Sequence, residues 1–341
     1  MLQNTTVDDN KINSIFKIYM NEIKIGLIGL GGWGKNLYRN LENLNVLHKV
    51  YDKNLQIFKE LKIEDDKISK NVNEIFTSKE IACVMIATPS VTHKNFIIRA
   101  LESKKHVFVE KPLCLNINDA YEIQKKSEET KKIVFIGHLL QYHNAFIEMK
   151  KRIKNGEIGK VRVIKANRLN FGIVRNKESV VYDLSSHDVS MILSITKILP
   201  NKVSVNAIFS NSKYYADTIN VILYFKKNLV AILNCDWISP YKEHRFSVYG
   251  SKGSLIFNDT CEWNKKLINN PSTLNKKDGI NFESNRAIKI KKVEPLKKEI
   301  ISLINCIKYS KKPYTDIKEA LNVQIVLEMI DEEIKKKYNL K

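Results

Sequence analysis

The 341-residue sequence holds no run approaching 18 consecutive apolar residues, which excludes an ordinary membrane-spanning helix. Cysteine is scarce: Cys83, Cys114, Cys235, Cys261 and Cys306 are odd in number and form no CxxC pair. Neither a disulfide scaffold nor a zinc site is specified. Cys83 and Cys114 sit among apolar residues, as small buried side chains do. A reducing cytoplasm fits this usage. No metal-ligand spacing recurs, so no metal is expected, and no internal repeat is visible. Arginine is also rare, with only eight among the 57 basic residues. A nucleic-acid surface concentrates charge on one face and uses Arg forks with stacking aromatics. Here lysine is scattered among Asn and Ile, so the net charge of +20 is read as compositional drift. Its remaining consequence is tolerance of anionic ligands, phosphates included.

What is present is globular. An apolar fraction of 43% with 28% charged residues rules out a wholly disordered or collagen-like chain. The length is long for a single core and predicts two domains. Residues 1–19 begin acidic and lack an apolar centre, so they do not read as a secretion signal. Residues 1–20 are expected to be a disordered leader, and a second methionine, Met20, raises the alternative of a start-site artefact.

The first half alternates strands with helices, the pattern of a doubly wound parallel α/β sheet. Residues 22–28 form a short apolar run of strand length, followed by Gly29-Leu30-Gly31-Gly32-Trp33-Gly34, a G-x-G-x-x-G loop. Trp33, Leu37, Leu41 and Leu44 then recur as one face of a helix. The next strand ends Val50-Tyr51-Asp52, 23 positions after Gly29. Strand, glycine loop, helix and acid together specify a dinucleotide site. Gly29 allows the tight turn, Gly31 lets the main chain approach a pyrophosphate, and Gly34 lets helix and strand pack closely. Asp52 can accept from both hydroxyls of an adenosine ribose, which favours NAD over NADP, although Lys53 beside it could answer a 2′-phosphate. Further strands are expected at 82–88, 106–110 and 132–137, with a helix near 92–102. Ligands bind beyond the carboxyl ends of such strands, where Pro89-Ser90-Val91-Thr92-His93, Glu110-Lys111-Pro112 and His138 to His143 stand.

The second half reads differently. A helix over about 144–155 precedes a strand at 161–170 and a helix near 183–198. Strand-like runs follow at 202–209, 217–225, 229–236, 245–249 and 254–257, separated by short polar loops as in an antiparallel meander. Residues 259–292 are polar, with one more strand expected at 287–291. Helical spacing returns at 296–307 and 317–336.

The sequence resembles the Gfo/Idh/MocA oxidoreductases, the glucose–fructose oxidoreductase and inositol dehydrogenase group, from about residue 21 to the end. The resemblance rests on the glycine loop, on ATPSVTH (87–93), on EKPL (110–113) and on the pair Asp183 and His187. It implies a Rossmann domain at 21–143 and an α/β domain at 144–316 for substrate and oligomerisation, built on a large, mostly antiparallel open sheet. Residues 317–341 are expected as a helix packing back on the Rossmann domain. A narrower resemblance joins it to UDP-N-acetylglucosamine 3-dehydrogenases, which make a 3-keto sugar for an aminotransferase. It rests on Gly32 to Asn36, GHLLQYH (137–143), NRLN (167–170), YDLSSHDVSMIL (182–193) and Pro240-x-Lys242-x-x-Arg245. Two departures fall on the substrate side: Gln141 stands where that group is expected to carry arginine, and Val180-Val181-Tyr182 where many members carry glycines.

Lys111 directly follows a strand and is held by Pro112, whose fixed φ stiffens the loop. Its implied role is to hydrogen-bond the reacting hydroxyl and help move its proton, against the ordinary reading of a solvated lysine. Asp183 and His187 are four residues apart and share a helix face. Asp183 could equally cap a helix, while an imidazole is suited to accept a proton at neutral pH. The resemblance implies that Lys111 and His187 share the acid–base work beside Asp183. Hydride would pass to the nicotinamide from a sugar carbon held within about 3–3.5 Å. Cofactor contacts are expected from Gly29, Gly31, Gly32, Trp33, Gly34, Asp52, Thr88, Pro89, His93, Glu110 and Lys111. His93 could instead be a core or helix-start residue. Sugar or diphosphate contacts are expected from Tyr142, His143, Arg168, Asn170, Lys242 and Arg245, since guanidinium forks suit phosphate oxygens. The substrate alternatives are a UDP-sugar uronic acid and a free polyol such as inositol; a silent NAD-bound regulator is the alternative outside catalysis. A homodimer or homotetramer is expected through the uncovered face of the antiparallel sheet, with no nucleic-acid or membrane partner.

Overall fold

The computed structural model describes residues 23–172, 179–275, 279–281 and 283–340, so the expected leader lies outside the described residues. Contacts divide the chain into two units. The first takes the chain up to Cys114, then Asn118–Gly137 and Leu296–Ile317; the second takes Leu115–Ile117, His138–Pro295 and Lys318–Lys341.

In the first unit the strands are β1 (Lys24–Ile28), β2 (Leu47–Tyr51), β3 (Ile81–Ile86), β4 (His106–Glu110) and β5 (Val134–Gly137). The helices between them are α1 (Gly34–Asn43), α2 (Gln56–Glu60), α3 (Val72–Thr77), α4 (His93–Glu102) and α5 (Ile117–Thr130). All strand pairings are parallel, in the order β2-β1-β3-β4-β5. The central strands are buried on both faces, and for this reason β1 and β3 read as continuous apolar runs rather than as alternation. Leu37 and Leu41 carry α1 onto the sheet. The chain leaves β1 toward β2 on one side and returns to β3 on the other, so the crevice of the fold opens between the ends of β1 and β3. Beyond β2, Ile68 makes a single parallel bridge to Val50; beyond β5, Asp316 bridges Phe135.

The second unit opens with α6 (Asn144–Lys154) and β6 (Val161–Phe171). A π-turn at Val181–Ser185 then runs into α7 (Ser186–Thr196). Its remaining long strands are β7 (Lys202–Ile208), β8 (Thr218–Tyr224), β9 (Val230–Asp236), β10 (Ile238–Gly250) and β11 (Ser254–Asn258). Shorter ones follow: β12 (Leu267–Asn270), β13 (Thr273–Asn275), β14 (Gly279–Asn281) and β15 (Arg286–Ala287). Two helices end the chain, α8 (Pro295–Lys308), which belongs to the first unit, and α9 (Ile317–Tyr338), almost wholly in the second. Eight strands form one sheet, ordered β15-β12-β11-β10-β6-β9-β8-β7, antiparallel except for the β6–β9 pair.

Strict alternation decides the faces of this sheet. Ile219, Val221 and Leu223 of β8 and Ala231, Leu233 and Cys235 of β9 are buried inward. Across β8, β9, β6 and β10, Asn220, Asn234, Asn167 and Glu243 are joined side chain to side chain in a polar row.

Two expectations are corrected. The last helix was expected on the Rossmann domain, but Val323, Val326, Leu327, Ile330 and Ile334 of α9 lie in the second unit's core, and Ala207 N–H donates to Tyr338 Oη at 2.9 Å. The first unit takes α8 and its following turn instead, though they were expected in the second domain. Both helices carry the same apolar spacing, and spacing names a buried face without naming its partner. The strand expected at 245–249 is also longer, reaching back to Ile238.

Candidate active site

In the first unit a cleft of about 710 Å³ lies over the crevice end of the sheet, lined by Gly29, Leu30, Gly31, Gly32, Asp52, Lys53, Thr88 and Pro89 among others. Such a volume suits a cofactor-sized ligand. Gly29 has φ +98°, and a Cβ there would lie 2.6 Å from the Ala87 carbonyl oxygen. A Cβ on Gly34 would collide with the Gly29 carbonyl, so helix and strand approach closely only with glycine at this position. Gly31 and Gly32 are different: a Cβ on either would meet no protein atom within 4 Å, leaving the backbone open to a ligand at the start of α1. That helix has no side-chain cap; Lys35 and Asn36 N–H turn back to the Gly31 and Trp33 carbonyls, at 3.1 and 2.9 Å. Asp52 is fixed by two backbone donors, Leu30 N–H to Oδ2 at 2.6 Å and Asn54 N–H to Oδ1 at 2.8 Å. Each carboxylate oxygen retains a lone pair for a ribose hydroxyl. The residues present fit a dinucleotide.

Lys111 is half-buried, immediately beyond β4, and its peptide bond to Pro112 is cis. His93 is 1% exposed, with Nδ1 2.8 Å from the Pro112 carbonyl and Nε2 2.9 Å from the Thr88 carbonyl. Burial pushes its pKa down, opposed by the carbonyls that face its ring nitrogens, which favour a ring with both N–H groups. This corrects its expected place as a cofactor contact: both ring nitrogens are turned to the main chain, and His93 ties the loop after β3 to the loop carrying Lys111. Thr88 Oγ1 lies 2.7 Å from Thr92 Oγ1, which also lies 2.7 Å from the Pro89 carbonyl, so this loop is braced internally. The Glu110 carboxyl receives the Trp33 indole N–H, while burial pushes its pKa up to about 7.

In the second unit Asp183 is buried inside the π-turn, and Trp237 Nε1–H donates to its Oδ2 at 3.1 Å. It caps no helix. His187, half-buried, lies in the first turn of α7. Arg168 donates through two nitrogens to Asp188, 2.9 Å each, with both residues buried. That fork was expected to hold a phosphate, and Asp188 occupies it. Arg245 is corrected for a different reason. Its register partner is Asn167 while Arg168 pairs with His244, so Arg168 and Arg245 stand on opposite faces of the sheet. Arg245 Nε lies 3.2 Å from Glu243 Oε1.

His143, expected to line a sugar pocket, is 2% exposed. Its Nδ1 accepts from Ala145 N–H at 3.1 Å at the start of α6, Nε2 lies 3.5 Å from Asp259, and the ring stacks on Trp263. Its role is packing and capping. Tyr142 is likewise buried. Asn170 is half-buried and Lys242 exposed. Gln141 has a local explanation. It donates to Ser190 Oγ and accepts from Lys150 Nζ, both at 2.8 Å; Ser190 donates onward to Glu319, which also meets His138 Nδ1 at 2.8 Å. An amide can both donate and accept in this chain, which a guanidinium cannot.

Sequence reasoning missed Asp188, Trp237 and His244. His244 is half-buried, and burial with Arg168 and Lys242 nearby pushes its pKa down to about 3, so its ring is neutral. The alternation along β10, carried back past residue 245, was the one signal that could have exposed it. Among the described residues no group of three or more His, Cys, Asp or Glu could hold a metal, and no helix is long and apolar enough to cross a membrane.

Comparison with known proteins follows the same division of the chain. Residues 23–138 match the oxidoreductase family with the NAD-binding Rossmann fold, and residues 146–256 match the GFO/IDH/MocA C-terminal domain. Myo-inositol 2-dehydrogenase of Thermotoga maritima is 27% identical over 70% of this chain and 76% of its own. The NAD-dependent scyllo-inositol 2-dehydrogenase of Bacillus subtilis is 25% identical over 89% and 92%. A solved UDP-N-acetylglucosamine 3-dehydrogenase from Acidithiobacillus ferrooxidans superposes with a TM-score of 0.80 at 20% identity, covering 93% of this chain and 98% of that one; it shares the fold. With the glycine loop and Asp52 in their places, and both family domains matched in order, the chain belongs to the Gfo/Idh/MocA family of NAD-binding oxidoreductases.

Proposed function

We propose that the protein oxidises a secondary hydroxyl of a nucleotide-diphosphate sugar, with UDP-N-acetylglucosamine at C3 as the first substrate to test. The observation that carries the reaction is Lys111, placed at the end of β4 in the unit that also holds the Asp52 cleft. Bound NAD supplies a hydride acceptor. Lys111 hydrogen-bonds the reacting hydroxyl and takes up its proton; an acid–base part for His187 and Asp183, four residues apart, rests on the resemblance alone. Asn170, Lys242 and the neutral His244 are the sugar and diphosphate contacts in this reading. The runs at 137–143, 167–170 and 182–193 support the nucleotide-sugar substrate.

One observation favours a second reading, a free cyclic polyol. Arg168 is engaged by Asp188 and Arg245 stands on the other face, so neither guanidinium is placed for a diphosphate; two relatives are named inositol dehydrogenases. A panel of UDP-sugars and inositols with NAD or NADP, read as absorbance of the reduced cofactor, separates the two. Turnover of inositol without UDP-N-acetylglucosamine replaces the first reading by the second. In either case Lys111→Ala should abolish turnover and leave NAD binding nearly intact; persistent turnover would remove Lys111 from its role. A homodimer or homotetramer through the outward face of the eight-stranded sheet, where Ile208, Tyr224 and Tyr249 are exposed, belongs to the same reading. Sedimentation as a monomer would contradict it.

A further inference from the structure

The eight-stranded sheet has two edges among the described residues, and they differ. β15 at one end is two residues long, too short to template another strand. β7 at the other end runs seven residues, KVSVNAI, without a proline, and its register with β8 is unbroken from Lys202↔Tyr224 to Ile208↔Thr218. In an antiparallel pair, alternate residues turn both main-chain groups to the partner strand, and the residues between turn theirs away. Val205 and Ala207 are of the second kind, since their groups meet the last turn of α9. Lys337 Nζ donates to the Val205 carbonyl at 2.9 Å, and the Ala207 N–H donates to Tyr338 Oη at 2.9 Å. Lys337 also donates to Asn206 Oδ1, and the Tyr338 ring packs edge-on against Phe209 with centroids 5.3 Å apart. Ile334 is the last buried residue of α9, and the turn beyond it meets the edge strand through these groups.

We infer that the last turn of α9 is a strap over an edge able to take a strand, and that its release lets β7 of a second copy pair antiparallel with this one. The occupant follows from the strand itself. Centred on Val205, two copies set Val203 opposite Ala207, Ser204 opposite Asn206 and Lys202 opposite Ile208. No lysine then faces a lysine, and the buried face joins β-branched and small apolar side chains, as cross-strand pairing favours. Val205 exchanges both hydrogen bonds with its counterpart, and Val203 does so with Ala207, through groups of the kind that α9 now occupies. With the strap seated, Lys337 and Tyr338 stand where the incoming strand would lie, so this position admits either the strap or the second copy. Such pairing lengthens the sheet at its edge and is separate from the association proposed above through its outward face.

The strap and the pairing are tested in the full chain. Tyr338→Phe keeps a ring against Phe209 and removes the acceptor, so the Ala207 amide should exchange its hydrogen about tenfold faster than in the wild type. An unchanged rate overturns the strap. Lys337→Ser combined with Tyr338→Ala releases both contacts, and sedimentation velocity should then show about twice the wild-type mass, or more, at the same protein concentration. Adding Ala207→Pro should restore the wild-type mass, because proline has no N–H to offer an incoming strand while the ladder to β8 loses nothing. A wild-type mass in the double variant overturns the pairing, and so does a raised mass that survives Ala207→Pro. If the double variant does not fold, Lys337→Met with Tyr338→Phe keeps the bulk of both side chains and is read by the same outcomes. The wild-type mass itself bears only on the outward face, so the two associations fail separately.

Discussion

Replacing Asp188 by alanine removes the partner of a guanidinium that is 7% exposed. Arg168 would keep its charge and lose two hydrogen bonds of 2.9 Å. Breaking one side of a buried ion pair costs about 3–5 kcal/mol, mostly as the penalty of the charge left behind. For a domain of about 150–250 residues each kcal/mol lowers Tm by about 2–4 °C, so Asp188→Ala should lose about 6–20 °C in the transition of the second unit. Arg168→Met combined with Asp188→Leu removes both charges and fills similar volume, and should recover most of that loss. The assay is scanning calorimetry of the four proteins of this double-mutant cycle, with the coupling energy read from the difference. A loss below about 1 kcal/mol in Asp188→Ala would refute the reasoning. It would mean that Arg168 finds another partner or solvent, and would return it to the set of groups able to hold a phosphate.

Two other perturbations act on the cofactor cleft. Asp52→Asn keeps the shape but removes the charge that meets Leu30 and Asn54 N–H groups; NAD should bind about tenfold more weakly, and NADP should gain relative to NAD, measured as the ratio of kcat/KM values. An unchanged ratio would show that Asp52 does not read the ribose. Gly34→Ala places a methyl group against the Gly29 carbonyl, so NAD binding measured by calorimetry should fall by about a factor of ten or more while the second unit's thermal transition stays in place. Wild-type affinity there would mean the loop relaxes freely.

How far the sequence could be read depended on whether the signal was local. The glycine loop and Asp52 are fixed by strand ends and turns a few residues away, and their places follow from spacing; Lys111 was singled out by its place after a strand together with the EKPL resemblance. Both sheet types follow from periodicity: continuous apolar runs in β1 and β3, alternation in β8 and β9. What stayed hidden is pairwise. That Arg168 meets Asp188 depends on how β6 lies against α7, 20 residues on. That Arg245 and Arg168 part company depends on the β6–β10 register, which nothing in either strand announces. His93 looked like a ligand because it follows a strand, yet its ring is held by carbonyls at 88 and 112. The fate of α8 and α9 was beyond reach for the same reason, since two amphipathic helices with equal spacing can exchange partners on paper.

The widened turn at 181–185 bears on how this chain tolerates changes of length. An α-helix advances about 100° per residue, whereas a π-turn absorbs one residue more for the same rise in the chain. Deleting Leu184 could therefore be accommodated by reversion to plain helix, with α7 left seated, but Asp183 would swing about 100° away from the Trp237 indole. A shortened protein of this kind would fold and still bind its dinucleotide, yet lack a carboxylate at the place where Trp237 now holds one.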